Sequence, residues 1–262
     1  MKAYAQLISR VLKGYESKDR TGVGTVCLFG ESLMLDLEES FPLVSMRRIQ
    51  YKQALGELAG FLRGYTAKAD FTRLGCTYWN TTGSSPSLGP IYGYQWRNWG
   101  GDQLANLIDA LINDPFSRRH ILSCWNVSDL KLMSLMPCHI TAQFNVRENG
   151  PSRRMSLDCC VYIRSSDVML GLPYDIVLYA VLQSLIADHC GYKACKLTFF
   201  FGNAHIYKNH VVEARKLLLT GPQLCSVELL LNKLESVTDF MPIDATILRY
   251  NPAPAVHFPL NL

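Results

Sequence analysis

The chain has 262 residues, of which 48% are apolar and 18% are charged, and its formal net charge is +4. This composition is ordinary for a globular protein with a sizeable core, and so weak a charge does not indicate nucleic acid or an anionic membrane as a partner. No apolar run reaches the roughly 18 residues of a transmembrane helix, which excludes a membrane-spanning protein of the helical class.

Periodic apolar residues predict helices and strands in the first half, without a repeat or a linker. Helical spacing marks residues 4–12, residues 50–62 before Gly64, and residues 104–111 before Asp114-Pro115. Two β-like runs lie on either side of Gly30. The second half continues with predicted strands at 120–125, 140–147, 155–163 and 197–201, and with predicted helices at 173–186 and 211–218.

The tail is strand-like and then proline-rich. Because helices and strands alternate to the end, we expect one α+β domain over residues 1–262. The amphipathic N-terminus does not resemble a signal peptide, so the nine cysteines are expected to be reduced thiols in the cytoplasm. Cys190 and Cys195 lack a second pair at zinc spacing, and we expect no metal site.

The sequence Pro137-Cys138-His139 begins a predicted strand and contains the candidate nucleophile. A thiolate is a strong nucleophile, and nearby cations lower the pKa of its parent thiol. One cysteine among nine is more often structural. However, arginines and polar loops elsewhere in the chain have no evident packing role, and this favours Cys138 as a reactive group.

Four arginines could bind an anion, since guanidinium groups match phosphate oxygens with two parallel hydrogen bonds. They are Arg20, Arg118, Arg119 and Arg164. Any single one is most often a solvated surface charge. Arg164 is the exception, because it follows a strand and precedes Ser165, Ser166 and Asp167, a combination typical of an anion site at a strand end.

Three other positions are open to two interpretations. Glu57 is a buried carboxyl suited to proton transfer if it shares the apolar face of its helix, and an ordinary surface acid otherwise. Asp175 lies near a helix N-terminus, where the helix dipole favours acids. His205 and Tyr207 would share one face of a strand and could bind a sugar hydroxyl, or they could simply satisfy each other.

Taken together, eight segments in order between residues 17 and 210 resemble the thymidylate synthase family. They read SKDRTGVGT, FPLVSMRR, GELAGFL, LGPIYGYQWRNW, DPFSRRHILSCWNV, MPCH, IRSSDVMLGLPYDI and HIYKNH. The resemblance implies a mixed sheet with packed helices and an obligate homodimer with two active sites. It also implies a nucleoside monophosphate substrate and 5,10-methylenetetrahydrofolate as cofactor, with a thiolate that adds to C6 of the pyrimidine.

The resemblance further implies residue roles by position. The catalytic positions are Cys138, Glu57, Tyr92 and Asp175. Phosphate ligands of the same subunit are Arg20, Arg164 and Ser165, whereas Arg118 and Arg119 match arginines lent by the partner subunit. The 3′-hydroxyl contacts are His205 and Tyr207. The folate pocket is matched by Trp79, Leu135, Asp167, Gly171 and the terminal Leu262, and Asp167 is also expected to contact the substrate.

Asp175 is the most informative departure from the family pattern, because synthases acting on dUMP typically have Asn there and relatives acting on cytosine nucleotides have Asp. It predicts dCMP as substrate, with 5-methyl-dCMP as product. Ile163 and Thr81-Thr82 also depart from the pattern, so dCMP hydroxymethylation is an alternative, and action on dUMP is a second one. Such enzymes are typical of bacteriophages, which would place the protein in a host cytoplasm.

Two rival classes remain. A cysteine hydrolase would pair Cys138 with His139 or His205, but it leaves the arginines unexplained and has no clear oxyanion motif. A catalytically silent nucleotide- or RNA-binding relative would not require Cys138, Glu57 and Tyr92 together.

Overall fold

The computed structural model describes residues 1–149 and 154–261. Its helices are α1 (Lys2–Val11), α2 (Lys52–Leu62), α3 (Lys68–Arg73), α4 (Tyr92–Asn98), α5 (Gln103–Asn113), α6 (Leu172–His189) and α7 (Val211–Thr220). Its strands are β1 (Tyr15–Ser17), β2 (Thr25–Asp36), β3 (Ile121–Ser123), β4 (His139–Asn149), β5 (Arg154–Asp167), β6 (Lys193–Tyr207), β7 (Glu228–Leu231) and β8 (Ala245–Leu248). Every helix in these two described ranges is too short or too polar to span a bilayer.

Six strands form one mixed sheet in the order β1-β2-β6-β5-β4-β3, and β7 pairs with β8 separately. Only β5 and β6 run parallel within the six-stranded sheet, and α6 connects them, as a parallel pair requires a crossover. The other pairs are antiparallel. The predicted α+β class with a mixed sheet and packed helices is confirmed.

Helix α6 lies at the centre of the core. It is buried over most of its length and apolar around its whole circumference, which is the pattern of a helix enclosed on all sides. It begins with Pro173 in its first turn, where proline costs no hydrogen bond. Helix α2 packs against α6 and is buried from Ala54 to Leu62, so it brings Glu57 into the interior.

The two faces of the sheet differ sharply. One row of paired residues across five strands is buried beneath the helices: Leu33, Phe199, Val161, Ala142 and Leu122. The opposite face, here called the open sheet face, exposes Met34, Phe200, Tyr162 and Ile121 by 40–60% each. These four side chains come from four different strands, so the exposed apolar surface extends across the sheet.

Most predicted elements are confirmed, and the differences follow from pairing. The two runs around Gly30 form one strand, since glycine accommodates its φ of +83° without breaking the ladder with β6. Strands β5 and β6 extend well past the predicted ends, and β6 includes His205 and Tyr207. The predicted strand at 120–125 contains only Ile121–Ser123. The short helices α3 and α4 have too few turns to show a helical period.

Candidate active site

Cys138 immediately precedes β4, and two residues hold its loop in place. The Arg164 guanidinium donates to the carbonyls of Pro137 (2.8 Å) and Met136 (3.0 Å), and its backbone N–H donates to the Cys138 carbonyl at 2.8 Å. The Cys138 backbone N–H donates to the Tyr92 hydroxyl at 2.9 Å. The thiol is therefore carried on a loop that is pinned from two sides.

Neighbouring groups shift the pKa of the Cys138 thiol in opposite directions. Burial raises its pKa most strongly, and the Asp175 carboxylate raises it further. The guanidinium groups of Arg164 and Arg20 lower the same pKa, as does the Tyr92 hydroxyl. The candidate phosphate ligands thus lie close enough to favour the thiolate, although burial prevails in the free protein.

His139 cannot act as the base of a cysteine hydrolase. Burial lowers its pKa to about 3, and its Nδ1 lies 2.8 Å from the Tyr179 hydroxyl. Its ring stacks on Tyr92 with centroids 4.1 Å apart. His205 is engaged elsewhere, with its Nδ1 3.0 Å from Asn203 Oδ1. Among the described residues no histidine hydrogen-bonds the Cys138 thiol, so the rival hydrolase lacks its catalytic pair.

The candidate site has two carboxyl groups: the buried Glu57 and the half-buried Asp175, which lies close enough to Cys138 to raise the pKa of its thiol. Glu57 is only 7% exposed, which resolves its two interpretations, and burial raises its pKa to about 8. Asp175 lies in the first turn of α6, where burial raises its pKa to about 7 and outweighs the helix dipole. Asp175 Oδ1 lies 3.9 Å from His139 Nε2. Glu57 is therefore largely protonated at pH 7 and Asp175 is about half protonated, so both can donate hydrogen bonds.

The ends of the parallel strands β5 and β6 bring a second polar group together. Ser165 pairs with Asn203, and Asp167 pairs with His205. The Asp167 carboxylate accepts from the backbone N–H groups of Met169 (2.9 Å) and Leu170 (3.0 Å), and this contact fixes the turn after β5.

His205 and Tyr207 point to the same side of β6, with ring centroids 5.3 Å apart in an edge contact. They therefore do not satisfy each other by a hydrogen bond. Asn203 joins them at the same period of two residues. Sequence reasoning missed this asparagine, although the strand alternation in NAHIY carries the signal.

The four arginines lie at different parts of the sheet. Arg164 is half-buried and stacks over the Trp125 ring at 5.6 Å. Arg20 follows the edge strand β1, in a loop that is braced by Asp19 through hydrogen bonds from Thr21 and Gly24. Arg118 and Arg119 precede β3, at the opposite edge of the sheet. Arg20, Arg118 and Arg119 are exposed, and none of them forms an ion pair with another described residue.

The positions matched to a folate pocket combine buried, half-buried and exposed residues. Trp79 is buried beside Phe61 and Tyr92, and Leu135 is half-buried. The Trp79 indole N–H is buried near Glu57 but lies outside normal hydrogen-bond geometry. At Gly171 a Cβ would meet only the Asp167 carbonyl, at 3.6 Å.

The C-terminal segment closes one side of this region. Phe258 is buried between the Arg47 guanidinium (5.1 Å) and the His210 ring (5.1 Å), and His210 Nε2 lies 2.7 Å from the Pro259 carbonyl. Arg47 and His210 were not recognised in the sequence, because their role depends on a contact with a distant part of the chain. The predicted contribution of Leu262 lies outside the described residues.

Comparisons with known proteins cover nearly the whole chain. A sequence family described as Thymidylate synthase matches residues 2–262. A protein named thymidylate synthase from Buchnera aphidicola subsp. Acyrthosiphon pisum (strain Tuc7) is 37% identical over 264 residues, covering 98% of each chain. The protein of the same name from subsp. Baizongia pistaciae (strain Bp) is 36% identical over 265 residues, again covering 98% of each chain.

These relatives contradict the predicted action on dCMP, and the second alternative fits them better. The error lies in the weight given to Asp175. Since burial raises its pKa to about 7, the side chain can be a carboxylic acid with one donor and one acceptor, as an asparagine amide has. An aspartate at this position does not by itself select cytosine. The relatives are bacterial and lend no support to a bacteriophage origin.

Proposed function

This chain belongs to the thymidylate synthase family, and we propose that it methylates C5 of dUMP to give dTMP. The main evidence is the similarity, over 98% of the chain, to proteins named thymidylate synthase. The pinned Cys138 and the two acids with raised pKa values, Glu57 and Asp175, are the chemical support. Members of the family use 5,10-methylenetetrahydrofolate as one-carbon donor.

Cys138 is proposed as the nucleophile that adds to C6 of the uracil ring. Addition moves electron density onto O4 and makes C5 nucleophilic, and expulsion of the same sulfur at the end restores the ring. Arg164 both braces the loop of Cys138 and favours its thiolate, so one residue would couple substrate binding to activation. Arg20, Ser165 and the partner subunit's Arg118 and Arg119 complete the proposed phosphate site.

The protonated Asp175 is proposed to recognise uracil. Its hydroxyl would donate to O4, and its carbonyl oxygen would accept from N3–H. Glu57 would hold a proton close to the O4 side of the ring, and the Tyr92 hydroxyl, which faces the Cys138 backbone, would lie near the C5 proton. His205 and Tyr207 would bind the 3′-hydroxyl group.

Trp79, Leu135, Asp167 and Gly171 are proposed to hold the folate beside this site. When bound, the folate supplies the methylene carbon and the hydride that complete the methyl group. The buried aromatic wall around Trp79 excludes water, which would otherwise divert the reaction toward a hydroxymethyl product. We also propose that residues 1–262 act as one catalytic unit.

The active form is proposed to be a homodimer that meets through the open sheet face. This face exposes Met34, Phe200, Tyr162 and Ile121 across four strands, and an exposed apolar patch of this kind is typical of a protein–protein interface. Arg118 and Arg119 precede Ile121 and are exposed at this edge, so a second copy docked on the face would meet them. The same arginines lie across the sheet from the strand that precedes Arg20.

An assay with two nucleotides tests the proposed substrate. We expect dUMP with methylenetetrahydrofolate to give C5 tritium release and dihydrofolate in equal amounts, whereas dCMP should react at least about 100-fold more slowly. Parallel reactions with [5-³H]dUMP and [5-³H]dCMP measure both products. Preferential turnover of dCMP, or tritium release without dihydrofolate, would contradict the proposal.

Asp175 should impose a pH limit on dUMP turnover. Its pKa is raised to about 7, and the proposed binding form is protonated, so kcat/KM should fall about tenfold per pH unit as the pH rises above that value. Asp175→Asn removes the titrating group and should hold kcat/KM for dUMP steady on the alkaline side. Steady-state kinetics between pH 6 and pH 9 compare the two proteins. Identical alkaline limbs would exclude this role of Asp175.

A further inference from the structure

Tyr78 makes a contact with Glu57 that the family resemblance does not assign. The Tyr78 hydroxyl donates to Glu57 Oε2 at 2.5 Å, a short hydrogen bond between a partly buried phenol and a buried carboxyl. The Tyr78 ring also packs edge-on against Tyr174, with centroids 6.0 Å apart. Tyr78 therefore contacts both Glu57 and the residue that immediately precedes Asp175.

The backbone around Tyr78 is fixed to α2, the helix that carries Glu57. Gln53 Oε1 accepts hydrogen bonds from the backbone N–H and the hydroxyl of Thr77, both at 3.0 Å. One turn further along, Gly56 lies so close to the neighbouring segment that a Cβ there would come within 2.3 Å of the Leu74 carbonyl. Gln53, Gly56 and Glu57 therefore dock residues 74–78 onto one side of α2, and the phenol has little freedom to leave the carboxyl.

We propose that Tyr78 is a positioning residue which, by donating to Oε2 of Glu57, keeps the proton of that carboxyl on Oε1, where it can reach the substrate. The inference rests on the proposed function, because it gives Glu57 its role as a proton donor. A neutral carboxyl accepts best through its carbonyl oxygen, so a donor held at Oε2 makes that oxygen the carbonyl. Without the phenol, either oxygen could carry the proton.

The groups around Glu57 define the expected titration. Burial raises the pKa of Glu57 most, and the Asp175 carboxylate on α6 raises it further. The Tyr78 phenol lowers the same pKa, as does the Trp79 indole N–H to a smaller extent. The Cys76 thiol also lies close, and Glu57 raises its pKa. The phenol is therefore the strongest group that favours the ionised carboxyl.

Tyr78→Phe tests the proposal by removing one oxygen atom. We expect the pKa of Glu57 to rise by about one unit, since the phenol no longer stabilises the carboxylate. We also expect kcat with dUMP to fall roughly 10- to 100-fold, with KM changed less than about threefold, because a misplaced proton affects the chemical step. Carboxyl ¹³C NMR of the glutamate-labelled full-length protein measures the pKa, with the Glu57 signal assigned by comparison with Glu57→Gln.

A second variant should shift the pKa of Glu57 in the opposite direction. Incorporation of 3-fluorotyrosine at position 78 keeps the side-chain shape but makes the phenol a stronger donor, so the pKa of Glu57 should fall. Tyr192→Phe is the matched control, since its phenol donates only to the Leu111 carbonyl (2.6 Å) outside the site. It should leave both the Glu57 titration and kcat unchanged.

The outcomes separate this proposal from the proposed function. An unchanged pKa of Glu57 in both position-78 variants, or a shifted pKa with unchanged kcat, would overturn the role of Tyr78. Failure of the unaltered protein to turn over dUMP would instead overturn the proposed function, and the NMR titration would still decide whether the phenol controls Glu57.

Discussion

Cys138→Ala is expected to reduce C5 tritium release from dUMP by a factor on the order of 10⁴ or more, because no other group in the site can form the bond to C6. Binding of dUMP should change much less, since the arginines and the sugar contacts remain. Single-turnover tritium release measures the first effect, and equilibrium binding of labelled dUMP measures the second.

Cys225→Ala provides the matched control, because Cys225 is also a partly buried free thiol but hydrogen-bonds only a loop carbonyl. It should retain the activity of the unaltered protein. Substantial tritium release by the Cys138→Ala protein, with the fold intact by circular dichroism, would show that the sulfur of Cys138 is not the nucleophile.

Two inactive variants are expected to restore activity when mixed. In the double variant Arg118→Ala, Arg119→Ala each subunit keeps Cys138 but cannot complete its partner's phosphate site, so kcat/KM should fall about 1,000-fold. A Cys138→Ala subunit still carries both arginines. After subunit exchange, half of the dimers are mixed and each has one complete site, so about one quarter of the original activity should return.

The open sheet face supplies the control for this experiment. Tyr162→Asp places a charge in the middle of the proposed interface, and size-exclusion chromatography with light scattering should then report a monomer. Introduced into both inactive variants, it should prevent any recovery on mixing. Full activity of the arginine double variant, or of a proven monomer, would contradict the shared site.

Much of the fold could be read from the sequence because its elements carry strong local signals. The amphipathic spacing of α1 and the apolar runs of β4 and β5 mark their positions, and the Asp114-Pro115 pair marks where α5 ends. The continuity of β2 through Gly30 could not be read, since a glycine between two apolar runs is typical of a turn as well. Its long pairing with β6 shows that the two runs form one continuous strand.

The residues of the candidate site likewise differ in how far the sequence reveals them. Cys138 and Arg164 stand out in the sequence because a thiol at the start of a strand, and an arginine followed by hydroxyls and a carboxylate at the end of one, are typical of a reactive and an anion-binding site. Glu57 was ambiguous, since helical periodicity does not tell which side of a nearly all-buried helix faces the site. Tyr78 carried no signal at all, because its function depends on a partner 21 residues away in the chain.

Asp175 illustrates a different limit. The sequence gives the residue type but not its protonation state, which depends on how deeply the fold buries it. As a carboxylate it would be unsuited to uracil O4, whereas as a buried acid it offers the same hydrogen bonds as asparagine. The predicted dCMP specificity was wrong, because proteins 36–37% identical to this chain are named thymidylate synthase and the residue type at one position does not outweigh them.

The covalent bond between Cys138 and the pyrimidine is the most direct test of the account. With 5-fluoro-dUMP and methylenetetrahydrofolate, fluorine replaces the proton that must leave C5, so the reaction should stop with the nucleotide still attached to the enzyme. Mass spectrometry of the intact protein and of its proteolytic peptides measures the adduct and its position. We expect nucleotide and folate together on the peptide containing Cys138; attachment to another residue, or no attachment, would contradict the account.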